Sequence, residues 1–372
     1  MALAQAVREF AQKELAPGVL RRDAEEEFPV SLYRKMGEMG LIGLPYPLEY
    51  GGSGRDYLDY ATAVEEISKV DASVGISYSV STSLYGGSIA NGGSEEQKRA
   101  FLPDVLSGRS FGSFGLTEPG AGSDAGGCVT TAVRDGDTYI LNGLKCFNTN
   151  GPLSDHFAVY ALTQPELKSK GLSCFHVKKG TPGFTIGKIE NKMGIRSAQV
   201  SELVFENCVI PADALIGEEG QGFKIAMKTL DGGRIGVAAQ GLGIAQGAFD
   251  IAREYLTVRE QFGKPLYRNQ YLAFQMAELE CEIEQARYML YKAALDKSEG
   301  RPYSVPAARA KLVCTNAAMH VTTEAVQMLG GNGFMREYHV ERMMRDAKIT
   351  QIYEGTNEIQ KLVISGALFA RK

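Results

Sequence analysis

Phe111-Gly112-Ser113-Phe114-Gly115-Leu116-Thr117-Glu118-Pro119-Gly120-Ala121-Gly122-Ser123-Asp124-Ala125-Gly126-Gly127 is where this 372-residue chain changes character. A short apolar strand runs directly into a loop of glycine and small hydroxyl residues. Upstream the apolar residues recur every three or four positions, as in Val7, Phe10, Ala11 and Leu15, then Leu32, Met36 and Met39, then Tyr60, Ala63, Val64 and Ile67. That spacing predicts core stripes of helices. Ser94-Glu95-Glu96-Gln97 has the form of a capping box starting a further helix. Downstream, from Val129 to about Pro211, the period becomes two. Asp135-Gly136-Asp137 is a hairpin signal, and runs at 156–162, 172–177, 184–189 and 202–210 read as short strands. A small barrel or sandwich is expected there rather than a parallel sheet.

After Pro211 the helical spacing returns. Leu272, Met276, Leu279, Ile283 and Leu290 form one stripe, and Leu312, Ala317, Val321, Ala325 and Met328 another, as in a helix bundle. The chain is therefore expected to be α+β and multidomain. Residues 1–110 would be a helical domain, 111–213 a β-domain and 214–372 a four-helix-bundle domain.

Composition narrows the function classes. With 44% hydrophobic and 23% charged residues and a formal charge of −4, the chain is expected to fold around ample core and offers no overall field for nucleic acid or anionic membrane. No apolar run is long enough to span a membrane and no targeting segment is seen, so a cytoplasmic protein is expected. The six cysteines (128, 146, 174, 208, 281, 314) lack any CxxC and read as reduced, buried thiols, and the four histidines show no ligand pairing. No metal is expected.

The glycine loop at 111–127 fits neither GxGxxG opening a βαβ unit nor GxxxxGK[ST]. It is either a ligand loop or a linker. Gln327-Met328-Leu329-Gly330-Gly331-Asn332-Gly333-Phe334 ends a helix with more glycine than a C-cap needs, which suggests close packing or a ligand. Near the C-terminus, Ile352-Tyr353-Glu354-Gly355-Thr356-Asn357-Glu358 puts one carboxylate between apolar residues and a glycine. Two readings are open. Glu354 is a desolvated base beside a ligand, or the stretch is a helix start capped by Thr356 or Asn357.

Five separated motifs decide more. Leu116 to Asp124, Leu230-Asp231-Gly232-Gly233-Arg234, Arg259 to Leu266, Gln327 to Phe334 followed by Glu337, Arg342 and Asp346, and Ile352 to Thr356 stand in an α, β, α order. Together they resemble the acyl-CoA dehydrogenase family over essentially the whole chain, nearest its short-chain, butyryl-CoA dehydrogenase-like members. The resemblance implies FAD and an acyl-CoA substrate. Phe114, Leu116, Thr117, Gly122 and Ser123 would contact the flavin, Ser123 also lying near the acyl-CoA. Phe147 and Thr149 would cover the other side of the ring, with Thr149 near N5. Arg259, Phe262, Gln270, Gln327, Gly330 and Gly331 would hold the adenine and diphosphate end across a subunit interface, and Thr356 and Glu358 would add flavin contacts. Asp231 and Arg234 would bind the CoA portion and Gly355 would line the thioester.

By the same resemblance Glu354 is the general base that removes the α-proton while hydride leaves the β-carbon, giving a trans-2-enoyl-CoA. Some subfamilies carry the base at the position of Gly233, which here has no side chain. A homotetramer, as a dimer of dimers, and an electron-transfer flavoprotein as acceptor are implied. The same chemistry run backwards as an enoyl-CoA reductase, an oxygen acceptor, or an inactive CoA- or flavin-binding helical protein are the competing readings. The acyl pocket is expected near Ser83 to Gly86 and Gly241 to Gly243.

The sequence departs from the family pattern at Asn148, where an apolar residue is usual. Asn148 either alters the flavin environment or is a neutral surface change. The first residues of the usual N-terminal helix also have no counterpart.

Overall fold

The computed structural model describes residues 2–370. Helices α1 (Ala2–Phe10), α2 (Val19–Glu25), α3 (Val30–Glu38), α4 (Tyr57–Ser68), α5 (Ala72–Ser79), α6 (Gly86–Gly92), α7 (Glu95–Phe101) and α8 (Pro103–Leu106) come first. The capping box forms: the Gln97 N–H donates to Ser94 Oγ (3.2 Å) and the Ser94 N–H donates to Gln97 Oε1 (3.0 Å). Of the expected stripes, Val7, Phe10, Leu15, Met36, Tyr60 and Val64 are buried. Met39 is not. It caps the C-terminal end of α3, where the chain turns and the three-to-four spacing no longer selects the inner face.

Strands β1 (Phe111–Gly115), β2 (Thr131–Asp135), β3 (Thr138–Thr149), β4 (Ser154–Leu162), β5 (Leu172–Lys178), β6 (Phe184–Ile189), β7 (Val200–Pro211) and β8 (Leu215–Ile216) form one eight-stranded sheet. Its order is β6-β7-β3-β2-β4-β5-β8, with β1 branching off alongside β4 in parallel. The β2–β3 pair is the expected hairpin; Gly136, at φ +56°, supplies the left-handed residue of its tight turn. Tyr139, Phe157, Phe175, Phe184 and Phe205 fill the sheet's own core.

The chain then enters α9 (Gly222–Val258), α10 (Gln270–Ser298), α11 (Ser304–Leu329), α12 (Val340–Thr350) and α13 (Asn357–Leu368). These helices share one core with α1, α3, α4 and α5: Val64 and Ile67 lie in the same cluster as Leu242, Ile283 and Val321. Side-chain-free positions on α9 allow that approach. A methyl at Gly243 would lie 2.4 Å from the Glu65 carbonyl, and one at Gly241 would lie 3.2 Å from that of Cys314. The Gly241 to Gly243 stretch is thus helix packing and not pocket lining.

Five of the six cysteines are buried and all six are unpaired; Cys281, on the outer face of α10, is exposed, against the expectation. No helix among the described residues is long and apolar enough to cross a membrane.

Candidate active site

Glu354 stands in the short link between α12 and α13. The helix-start reading of this stretch holds. Thr356 is the N-cap of α13, its hydroxyl accepting from the Ile359 N–H (3.3 Å), while two residues earlier Glu354 turns inward. It does so in the left-handed region, at φ +53°, followed by Gly355 at +86°. Such a conformation costs a non-glycine residue about 1–2 kcal/mol and persists only where the surroundings impose it. Both carboxylate oxygens are buried and neither has a hydrogen-bond partner among the described residues. Burial pushes the Glu354 carboxyl up to about 8, with the charges of Lys311 and Arg234 pulling the other way. An ionisable, unengaged carboxylate poised near neutrality is what proton abstraction requires.

Across from it runs α9. A methyl at Gly233 would lie 2.0 Å from Glu354 Oε2 and 2.7 Å from Leu84 Cδ2. Leu84 belongs to the 83–86 stretch expected beside the pocket. One residue on, Arg234 is buried and donates to Asp231 Oδ1 (2.6 Å), which also accepts from the Ser304 hydroxyl (3.0 Å). Arg234 Nε has no partner among the described residues. One helical turn further, a methyl at Gly236 would lie 2.2 Å from Ser79 Oγ and 2.5 Å from the Tyr60 hydroxyl, and these two are themselves hydrogen-bonded at 2.8 Å. The glycine face of α9 therefore passes Asp231 and Arg234, then Glu354, then a Tyr60–Ser79 plug.

The two flavin-side segments named from sequence are brought together by the sheet. The Ser113 hydroxyl donates to the Thr149 carbonyl (2.8 Å), and the Cys146 N–H donates to the Thr117 carbonyl (2.9 Å). Leu116 is buried, Phe114 and Thr117 are half-buried, and Gly122 and Ser123 are exposed. A methyl at Gly120 or Gly122 would meet nothing within 4 Å. Phe147, at φ +58°, is 67% exposed, while Thr149 is partly covered. Under the loop, Lys145 donates to Glu118 Oε1 (2.6 Å) and the Leu116 carbonyl (3.1 Å), and both charged side chains are buried.

Arg259, Phe262, Gln270, Gln327, Gly330 and Gly331 sit at the far ends of α9, α10 and α11, all exposed, and none hydrogen-bonds to the Glu354 group among the described residues. Phe262 is fully exposed at φ +54°. Gly330 and Gly331 have open space around them, whereas a methyl at Gly333 would strike the Val326 carbonyl at 2.3 Å. The third glycine is thus for packing. Glu358 is exposed on the first turn of α13.

Arg342 and Asp346, part of the same motif, form a buried pair at 2.8 Å. Asp346 accepts from the Ile195 N–H and Arg342 donates to the Val70 carbonyl (3.0 Å), joining α12 to the loop between β6 and β7 and to the turn between α4 and α5. Their role is to hold the domains together.

Asn148 is buried, so it is not a surface change. Its amide donates to the Ser201 carbonyl (2.9 Å) at a bulge between β3 and β7, while its Oδ1 lacks a partner among the described residues.

Sequence reasoning missed Lys311. It is fully buried on α11, and its ammonium donates to the carbonyl of Gly355 (2.9 Å) and to Asn357 Oδ1 (3.0 Å). The available signal was a lysine on an otherwise small and apolar stripe, Ala307, Cys314 and Ala318.

Comparison with known proteins agrees with this geometry. The chain matches the N-terminal domain of acyl-CoA dehydrogenase at residues 1–109, the middle domain at 113–208 and the C-terminal domain at 220–369. The short-chain specific acyl-CoA dehydrogenase of Clostridium acetobutylicum is 53% identical over 365 residues, covering 98% of this chain and 96% of that protein. The structure of butyryl-CoA dehydrogenase from Megasphaera elsdenii superposes with a TM-score of 0.98 at 49% identity, over 99% of this chain and 97% of that one. A chain in the structure described as the electron transferring flavoprotein of Acidaminococcus fermentans, in work on flavin-based electron bifurcation, gives 0.98 at 51%, over 100% and 97%. The α, β, α order, the buried free carboxylate and these matches make one conclusion: the chain belongs to the acyl-CoA dehydrogenase family.

Proposed function

We propose that the chain is an FAD-dependent short-chain acyl-CoA dehydrogenase in which Glu354 removes the α-proton of the acyl thioester. The observation that carries this is the Glu354 carboxylate, buried, free of hydrogen bonds and raised towards working pH. A binding protein that had lost catalysis would have no reason to keep a carboxylate in that costly state. The Glu354 N–H also makes no hydrogen bond among the described residues, leaving a donor beside the base to polarise the thioester carbonyl.

The residues fit FAD. Open glycines at 120, 122, 330 and 331 leave the main chain approachable by a flat or phosphorylated group, and Phe147 and Phe262 offer exposed aromatic surface. Phe114, Leu116, Thr117, Gly122, Ser123, Phe147, Thr149, Thr356 and Glu358 would hold the flavin. Arg259, Phe262, Gln270, Gln327, Gly330 and Gly331, distant from Glu354 within one subunit, would hold the adenine and diphosphate of a neighbour's cofactor, which supports a homotetramer. When bound, FAD supplies the acceptor for the β-hydride.

Asp231 and Arg234 would bind CoA, Gly355 would line the thioester, and the acyl tail would lie along α9 towards Tyr60 and Ser79. Along α9, Gly233 beside the base and Gly236 beside that pair are three residues apart, a rise of about 4.5 Å, which suits a short acyl chain. An electron-transfer flavoprotein is the proposed acceptor. The test is product formation from butyryl-CoA with electron-transfer flavoprotein as oxidant. Crotonyl-CoA is expected; FAD-loaded protein that forms none would overturn the reading.

A further inference from the structure

Lys311 is out of place as a surface cation. It lies on the inner face of α11, wholly buried, where burial pushes its ammonium below the ordinary lysine value and the charge of Glu354 pulls it back up. Of the hydrogen bonds it makes, one goes to the Gly355 carbonyl in the link that carries Glu354 and one to Oδ1 of Asn357, the first residue of α13. The link is held from the other side as well, since Gln360 Nε2 donates to the same Gly355 carbonyl (2.7 Å). Asn357 is fixed in turn by the Thr315 hydroxyl (3.1 Å) and by Asn316 (2.9 Å), both on α11. This network surrounds two consecutive residues at positive φ, Glu354 and Gly355.

We propose that Lys311 is a positioning residue for the base: it clamps the left-handed Glu354–Gly355 turn through the Gly355 carbonyl, and its charge favours the ionised form of the Glu354 carboxylate without occupying it. The division of labour follows from the hydrogen bonds. A lysine bonded directly to the carboxylate would block the lone pair that must take the proton. Here the ammonium's donors go to a carbonyl and an amide oxygen, and both Glu354 oxygens remain free. Other groups facing the pair are Arg234 from α9, Glu358 from α13, and the phenols of Tyr60 and Tyr353, which feel the carboxylate's charge. Among these, Lys311 and Arg234 favour the anion, and only Lys311 is bonded to the turn itself.

This inference rests on Glu354 being the base. Its test is the pH profile of kcat/KM with butyryl-CoA for the FAD-loaded parent, Lys311→Met, Lys311→Arg and Asn357→Asp, with flavin content and melting temperature measured alongside. The acid limb reports deprotonation of the base in the free enzyme. Removing a nearby positive charge raises a carboxyl pKa, so Lys311→Met is expected to move that limb to higher pH by at least about one unit, the low end for a lost opposite charge. Lys311→Arg should leave it in place. Asn357→Asp retains the lysine but neutralises its field, and should also move the limb upward; it decides the matter should Lys311→Met fail to fold. A limb that stays put in the folded neutralised variants, even with a uniform loss of rate, overturns the proposal. If Glu354→Gln keeps full activity, the reading of the base itself fails; an inactive Glu354→Gln beside an unshifted limb overturns only the role of Lys311.

Discussion

Gly233 of α9 faces Glu354 so closely that a single methyl on it would lie 2.0 Å from the carboxylate oxygen Oε2. The space a side chain at Gly233 would take is filled by the Glu354 carboxylate. Gly233→Ala must therefore displace the Glu354 carboxylate, because Leu84, 2.7 Å from the same methyl, closes the other direction. A shift of about 1 Å at a reacting group costs on the order of a hundredfold in rate. We expect kcat for butyryl-CoA to fall by at least about tenfold with flavin content retained, measured by steady-state turnover and the flavin-to-protein absorbance ratio.

The Tyr60–Ser79 pair predicts chain-length preference. Activity should be highest with butyryl-CoA and fall at least about tenfold in kcat/KM by octanoyl-CoA, the scale on which a pocket discriminates by methylene groups. Tyr60→Leu removes the hydroxyl that closes the α9 face and should move the optimum towards hexanoyl-CoA. An unchanged optimum would place the tail elsewhere.

The buried Glu118–Lys145 pair lies beneath the glycine loop. Burial alone would raise Glu118, but the charge and hydrogen bond of Lys145, with the N–H groups of Val129 and Thr130, outweigh it and hold the carboxyl below its ordinary value. A carboxyl depressed in the folded state contributes stability that is present above its unfolded value, about 4.3, and is lost as pH falls through the folded one. Lys145→Met leaves the carboxylate buried and unpaired, and should destabilise by about 3–5 kcal/mol in denaturant unfolding at pH 7.

His156 and His176 face each other inside the β-domain at 3.1 Å, with His176 stacked on Phe101 at 3.8 Å between ring centroids. Burial lowers both, His176 to about 3. In the unfolded chain they protonate near 6.5, so the unfolded state binds more protons between about pH 3 and 6.5. Stability is therefore whole above that range and declines as pH falls through it. The melting temperature should drop on acidification from pH 7 to 5, and His176→Gln should flatten the slope.

Much of this was legible in the sequence where a physical period was unambiguous. The Asp135-Gly136-Asp137 hairpin, the strand at 184–189 and the capping box at Ser94 follow from local chemistry and needed no tertiary information. What local pattern could not supply was the environment. Met39 continues an apolar spacing past the end of its helix and is exposed, and Cys281 sits on the outer face of α10. Gly241 and Gly243 read equally well as pocket or as packing until their neighbours, backbone carbonyls of other helices, are known. Asn148 is a buried polar group at a β-bulge, a feature set by pairing with β7. Lys311 looked like an ordinary helix lysine because its acceptors lie more than forty residues away in sequence.

The role of Glu354 is tested most directly by anaerobic titration of the FAD-loaded protein with butyryl-CoA, following flavin absorbance for the parent and for Glu354→Gln. The parent should bleach at about one equivalent while the variant binds substrate and keeps its colour. Bleaching of Glu354→Gln at the parent's rate would contradict the assignment of the base.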